Sequence, residues 1–210
     1  MNQSLMMYLM SIEFINHVFS TLVIFISGLV LSYVLCFILI ALGFRFKILR
    51  QIIYSVILFV QPVPRIVIFP LLLLFLGIND LSRIVLITLG LFFSNYLILD
   101  SKINELKISP LHQILKIYRV TFKKQLIEYY LKGCAASLHV SYRNSVGYGL
   151  TLTVIAESSF SNRGLGYLIW RHWERFEMPE LYMVVILISV IALILNSLPW
   201  LFLRIKKYIF

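Results

Sequence analysis

The sequence predicts an all-α integral membrane protein of about five transmembrane helices with one cytosolic helical insertion. Three observations predict it. First, 60% of the 210 residues are hydrophobic and only 13% are charged, and the mean hydropathy is +0.92. A soluble domain is nearer half apolar and about a quarter charged. A water-exposed fold of this size cannot hide so much apolar surface, so lipid is the expected solvent. Second, the apolar residues fall into five runs near the length of about 20 residues that a spanning helix needs. Third, the basic residues collect between alternate runs, the bias of cytoplasmic loops.

The runs are 18–42, 52–78, 84–99, 138–156 and 181–203. The first contains Gly28 and ends at Gly43. Residues 1–16 are mixed; Glu13 and His17 interrupt them, so this stretch reads as interfacial rather than as a sixth span. No basic n-region or small-residue cleavage site is seen there, and no cleaved leader is expected. The second run holds Pro62, Pro64 and Pro70. Each proline removes a backbone donor, so a bent span is expected, and bends at membrane depth are tolerated where they pack on protein or line a cavity. Cys36 sits in an apolar run and reads as a small buried hydrophobe. With Cys134 it makes no disulfide framework. The chain reads as a single domain, 1–210, without internal repeats.

Thirteen basic residues flank one set of run ends: Arg45, Lys47 and Arg50; seven between Lys102 and Lys132; and Arg204, Lys206 and Lys207. The other side carries Arg83, Arg163, Arg171 and Arg175, offset by Asp80, Glu157, Glu174, Glu177 and Glu180. This asymmetry places the N-terminus outside, and the insertion at 100–132 and the C-terminus in the cytosol. In a soluble protein, a net charge of +10 would suggest nucleic acid. Here it reads as sidedness.

Within the insertion, Ser109-Pro110 reads as an N-cap with proline at the first helical position. Leu111, Ile114, Leu115, Tyr118 and Phe122 then recur at helical spacing among Lys116, Arg119, Lys123 and Lys124. This predicts a short amphipathic helix. It either lies on anionic lipid or docks on another protein.

Three further stretches carry candidate chemistry. Arg65, between Pro64 and Pro70, is costly against lipid. It is a structural charge with a partner, or it adds positive potential to a path for anions. Residues 137–153 combine His139, Tyr142, Arg143 and Asn144 with Gly147, Gly149, Thr151 and Thr153. Small and hydroxylated residues suit helix packing in membranes; the same face could line a path. Glu157 ends this run and either caps the following turn, pairs with an arginine, or belongs to the path. The segment 157–169, ESSFSNRGLGYLI, joins two apolar runs. Gly164 and Gly166 permit close backbone approach, and Tyr167, Trp170 and Trp173 suit a membrane interface. The histidines lie in separate segments, and no HExxH, CxxC, GxSxG or GxxxxGK[ST] is present. No metal or cofactor site and no catalytic residue is expected, and a membrane enzyme lacks candidate groups.

The glutamate, polar turn and GLGYLI together resemble the permease subunits of bacterial ABC importers, in the branch handling nitrate, sulfonates, taurine and thiamine precursors. A second match lies some 90 residues earlier, where Pro64, Arg65, Pro70 and Leu71, then Phe75-Leu76-Gly77, resemble the same branch. The resemblance covers roughly residue 16 onward and implies the type I importer permease fold, a five-span core without the first span of many members. It also implies that the loop holding Ser109, Leu111, Leu115, Tyr118, Arg119 and Phe122 couples to a separate ATPase. That loop departs from the family's "EAA" pattern. Ser109 stands for the acid, Leu115 for the glycine, and Ile127-Glu128 for the usual Leu-Pro. The implied partners are two ATPase copies, a second permease subunit (identical or different), an extracytoplasmic solute-binding protein and lipid, in the bacterial plasma membrane. The implied function is alternating access for a small solute. Arg65 and Arg143 lean toward an anion. The alternative is a transport-degenerate scaffold or regulatory subunit paired with another permease.

Overall fold

The computed structural model describes residues 12–121 and 124–209, with side chains except at 116, 126–128 and 200–209. Helix α1 is Ile12–Arg45. Residues 12–16, read as interfacial, are therefore its first turn, and 1–11 lie outside the described residues. α2 is Lys47–Val60, followed by a 3-10 turn, Arg65–Ile68, and α3, Phe69–Leu76. α4 is Asp80–Ile108, α5 is Pro110–Ile117, and a π-helical stretch covers Gln125–Leu131. α6 is Ala135–Phe160, α7 is Leu165–Glu174 and α8 is Met178–Ile209.

Three of these helices are long and apolar enough to cross a membrane: Ile12–Arg45, Asp80–Ile108 and Met178–Pro199 within α8. The expected second span is a broken one. α2 and the segment Arg65–Leu76 meet at 97°. The cause is local. Pro62 and Pro64 cannot donate to the carbonyls that a continued helix would present, and Pro64 itself is extended (φ −60°, ψ 116°). Pro70 does not kink anything. It occupies the first turn of α3, where a missing N–H costs nothing. α6 has 26 residues, about 39 Å at 1.5 Å per residue, and so has spanning length. It is too polar to count among the spans by composition.

The start of the expected insertion is helical. Residues 100–108 continue α4 as helix. At its other end α4 is capped by Asn79, whose side chain accepts from the Ser82 N–H at 3.0 Å.

Helices α1, α4 and α6 form the packed centre. α4 meets α6 where a Cβ on Gly90 would lie 2.4 Å from Leu152, so the small residue sets the helix separation. The sides of the broken span and of α8 that face away are apolar. Phe59, Leu74 and Phe75 are exposed on the broken span, and Tyr182, Ile186, Leu193 and Ile194 on α8. A helix apolar all round and scarcely covered by its own chain is a lipid-facing one.

Candidate functional site

α6 has two polar faces with different fates. Its inward face is satisfied by the chain. Ser141 and Ser145 both donate to Asn95 Oδ1, at 2.6 and 2.9 Å. Asn95 Nδ2 lies 3.4 Å from Ser32 Oγ, and Tyr33 shares a 3.0 Å hydrogen bond with Ser141. This network ties α1, α4 and α6 together in the buried interior, where an unpaired polar group is costly. Asn95 was missed at the sequence level. The signal was there: a lone amide inside the apolar run 84–99.

The outward face carries Val140, Arg143, Asn144, Gly147, Tyr148, Thr151 and Ile155, all exposed and spaced i, i+3, i+4, i+7, i+8, i+11, i+15. A Cβ added at Gly147 would meet nothing within 4 Å. Its smallness thus serves no packing inside this chain. Thr151 donates to the Gly147 carbonyl at 3.0 Å, so its hydroxyl is internally quenched. Arg65 lies beside this face, immediately after Pro64. Its guanidinium carbon sits 5.2 Å from the Tyr148 ring centroid. One terminal nitrogen donates to Ser94 Oγ at 3.2 Å, and Nε is buried without a hydrogen-bond partner. The structure therefore brings Pro64, Arg65, Arg143, Asn144, Gly147 and Thr151 to one side of the molecule.

Glu157 does not join them. It is fully buried on the inward side, at the junction of α1, α6 and α7. Its Oε2 accepts from the Thr21 hydroxyl at 2.9 Å and from the Gly166 N–H at 3.0 Å. Thr21 Oγ1 in turn accepts from the Leu165 N–H at 2.8 Å, and His17 Nδ1 accepts from the Gly164 N–H at 3.0 Å. Three first-turn donors of α7 are thus satisfied by side chains of other helices. The glycines are required by space. A Cβ on Gly166 would come within 2.1 Å of the Val154 carbonyl, and one on Gly164 within 2.2 Å of the Glu157 carboxyl carbon. Gly164 also has φ +106°. Tyr167 stacks on His17 at 5.7 Å. Arg83 clamps the same end. It pairs with Asp80 at 2.6 Å and donates to the Phe160 carbonyl at 2.8 Å. Asp80 also binds Arg163. At the far end of α7, His172 lies 2.7 Å from Glu177. The hydrogen bond from His172 pulls the Glu177 carboxyl below its ordinary value.

In the insertion, the helix starts as expected: Ser109 Oγ accepts from the Leu111 N–H at 3.2 Å. The expected single stripe from Leu111 to Phe122 is not one helix face. α5 ends at Ile117, Arg119 takes φ +49°, and the Val120 N–H bonds the Leu115 carbonyl at 3.1 Å. That is a Schellman-type stop with arginine in the left-handed position. Phe122 lies outside the described residues. What α5 exposes is Leu111, Ile114, Ile117 and Tyr118, with Arg119 also exposed and Leu115 half-buried. His112 turns inward against the Tyr129 and Tyr130 rings, at 6.0 and 5.8 Å.

No group of three or more His, Cys, Asp or Glu side chains that could hold a metal occurs among the described residues.

These features define a class: an all-helical, multi-pass membrane protein with an exposed polar face along a helix of spanning length. Residues 37–205 match the family "binding-protein-dependent transport system inner membrane component", and the chain belongs to that family. It is 24% identical, over 65% of its length, to a protein of Bacillus subtilis (strain 168) described as an aliphatic sulfonates transport permease, SsuC. It is 25% identical, over 62% of its length, to the protein of the same description from Escherichia coli (strain K12). In each case 49% of the relative is covered, so the chain spans about half the length of the curated relatives it matches.

Proposed function

We propose that the chain is the non-catalytic permease subunit of an ATP-binding-cassette importer, giving alternating access to a small solute delivered by a binding protein. The observation that carries this is the outward face of α6. Arg143, Asn144, Gly147 and Thr151 are exposed on a helix of spanning length, where lipid contact would be costly. A second permease subunit packed there, leaving a polar path beside Arg65, removes that cost. Two ATPase copies would meet the exposed side of α5, because no nucleotide-binding loop exists in this sequence. The sulfonate relatives and the cations Arg65 and Arg143 support an anionic solute. The charge asymmetry supports a cytosolic insertion and an N-terminus outside. Labelling of single cysteines at 119 and 171 checks this, and equal labelling from one side would overturn it.

The main test is ATP-dependent uptake of an aliphatic sulfonate into vesicles holding the permease, its ATPase and its binding protein. Gly147→Leu should leave the folded chain intact, since nothing lies within 4 Å. It should cut uptake about tenfold or more, as overfilling a packed interface costs about 1–3 kcal/mol. Full uptake by this variant would show that the face is mere surface. ATPase association without any uptake by the unaltered complex would favour a scaffold.

A further inference from the structure

A cleft of about 410 Å³ opens between the α1–α2 turn and α4, away from the outward face of α6 and from the latch around Glu157. Lys47, Arg50, Gln51, Tyr54, Asn104 and Lys107 line it. Asp100 is the one carboxylate in the lining, and it is spoken for. Arg50 grips it with two hydrogen bonds, at 2.8 and 3.0 Å, and also binds the Asn104 side-chain carbonyl. The two remaining cations, Lys47 and Lys107, have no carboxylate in the lining to answer them. Lys107 is held in place: its Nζ sits 4.2 Å from the Phe44 ring centroid. Two further observations point to an anion. α2 begins at this cleft with no acidic residue in its first turn, and its N-cap, Phe46, offers no side-chain acceptor. The positive end of α2 and its first N–H groups thus add to the cations.

The surroundings say what kind of anion. Lys47, Arg50, Gln51 and Tyr54 fall at i, i+3, i+4 and i+7 on one face of α2. Ile48, Ile52, Val56 and Phe59 form the opposite face and are all exposed. α2 also turns away from the following segment by 97°. Such a helix, basic where it meets the cleft and bare and apolar on its other side, offers a headgroup site at its start and an acyl-chain surface along its length. We propose that this cleft binds a phosphodiester, supplied by the headgroup of an anionic phospholipid whose acyl chains run along the apolar face of α2. The Arg50–Asp100 pair is the rigid floor that joins α2 to α4. Lys47 and Lys107 provide the uncompensated charge. The site rests on the chain being embedded in a membrane and not on its transporting anything.

The test is lipid retention by the chain in nanodiscs of phosphatidylcholine with increasing phosphatidylglycerol, read by native mass measurement. The unaltered chain should retain phosphatidylglycerol in preference to phosphatidylcholine. Lys47→Gln with Lys107→Gln should weaken that retention about 30-fold, two charges near an anionic surface. Lys47→Arg with Lys107→Arg should keep it, which separates lost charge from lost fold. Lys124→Gln with Lys132→Gln, two exposed lysines outside the cleft, should change nothing. Equal loss in both glutamine pairs would reduce the effect to general surface attraction and overturn the site. Absence of any phosphatidylglycerol preference in the unaltered chain would also overturn it. Inorganic phosphate, added at the lipid's concentration, should fail to displace it. Displacement would overturn the lipid as the source and assign the cleft to a soluble phosphate.

Discussion

α7 and α5 are both short amphipathic helices at the ends of long ones, yet the chain treats them in opposite ways. α7 buries Leu165, Gly166, Leu168 and His172, and its first N–H groups bond His17, Thr21 and Glu157 on two other helices. α5 buries His112 and exposes Leu111, Ile114, Ile117 and Tyr118. α7 is locked at its start by its own chain and is a structural joint there, while Trp170 and Trp173 stay exposed on its other side. A helix that leaves aliphatic and aromatic side chains exposed at its tip is built to meet something else. The difference separates changes that should break the fold from changes that should break an assembly.

The largest effect should come from the joint. Gly166→Ala places a Cβ against the Val154 backbone carbonyl, where only a backbone shift relieves the clash. A loss of about 3 kcal/mol or more is expected, read as a fall in thermal midpoint of the chain in detergent. An unchanged midpoint would mean that α7 is not locked against α6. Next comes the buried carboxyl. Glu157→Leu leaves the Gly166 N–H without its acceptor, while the Thr21 hydroxyl keeps the His17 carbonyl at 3.2 Å, and should cost about 1–3 kcal/mol. Glu157→Gln keeps an acceptor oxygen and should cost less than about 1 kcal/mol. Equal losses in the two variants would show that the carboxyl group is not the keystone of the joint.

The α5 prediction sharpens the other half of the comparison. Ile117→Ser with Tyr118→Ala removes exposed side chains, so stability should stay within about 0.5 kcal/mol. Co-purification of the ATPase should nonetheless fall, because buried apolar and aromatic anchors contribute about 2 kcal/mol or more at an interface centre. Lys124→Ala with Lys132→Ala should affect mainly salt dependence. A silent apolar pair would mean that α5 is not the ATPase contact. The smallest effect is expected at the end of α7. Glu177 has its pKa depressed from the ordinary 4.5 by the His172 hydrogen bond. Its contribution is therefore present above that value and lost as pH falls through the lower, folded one. Glu177→Gln should flatten the acid limb of the stability profile below pH 4.5 and leave neutral pH nearly untouched. An unaltered acid limb would show that the pair is broken in solution.

Several elements were legible because their causes are local. Ser109-Pro110 starts a helix through one hydroxyl and one fixed φ angle. The prolines at 62 and 64 end one whatever surrounds them. The two glycines of the GLG segment announced a close approach. What could not be read was how far each cause reached. Three prolines looked alike, yet two make the 97° break and Pro70 merely opens α3. The stripe through Tyr118 looked continuous because helical spacing ignores Arg119, whose left-handed backbone stops α5. Asn95 was passed over because its partners, Ser32, Ser141 and Ser145, are distant in sequence.

By itself the sequence determined the solvent, the helical class and the short-range punctuation, since hydropathy, proline and capping act within a few residues. It also supplied the residue types of a polar surface in a membrane. Only the tertiary structure decided their allegiance. Arg143, Asn144, Gly147, Thr151 and Glu157 lie on one helix. Rotation about its axis sends the first four outward and seats Glu157 against Thr21 and Gly166. That division depends on which neighbours α1, α4 and α7 present to each side of α6, and no pattern confined to α6 contains it.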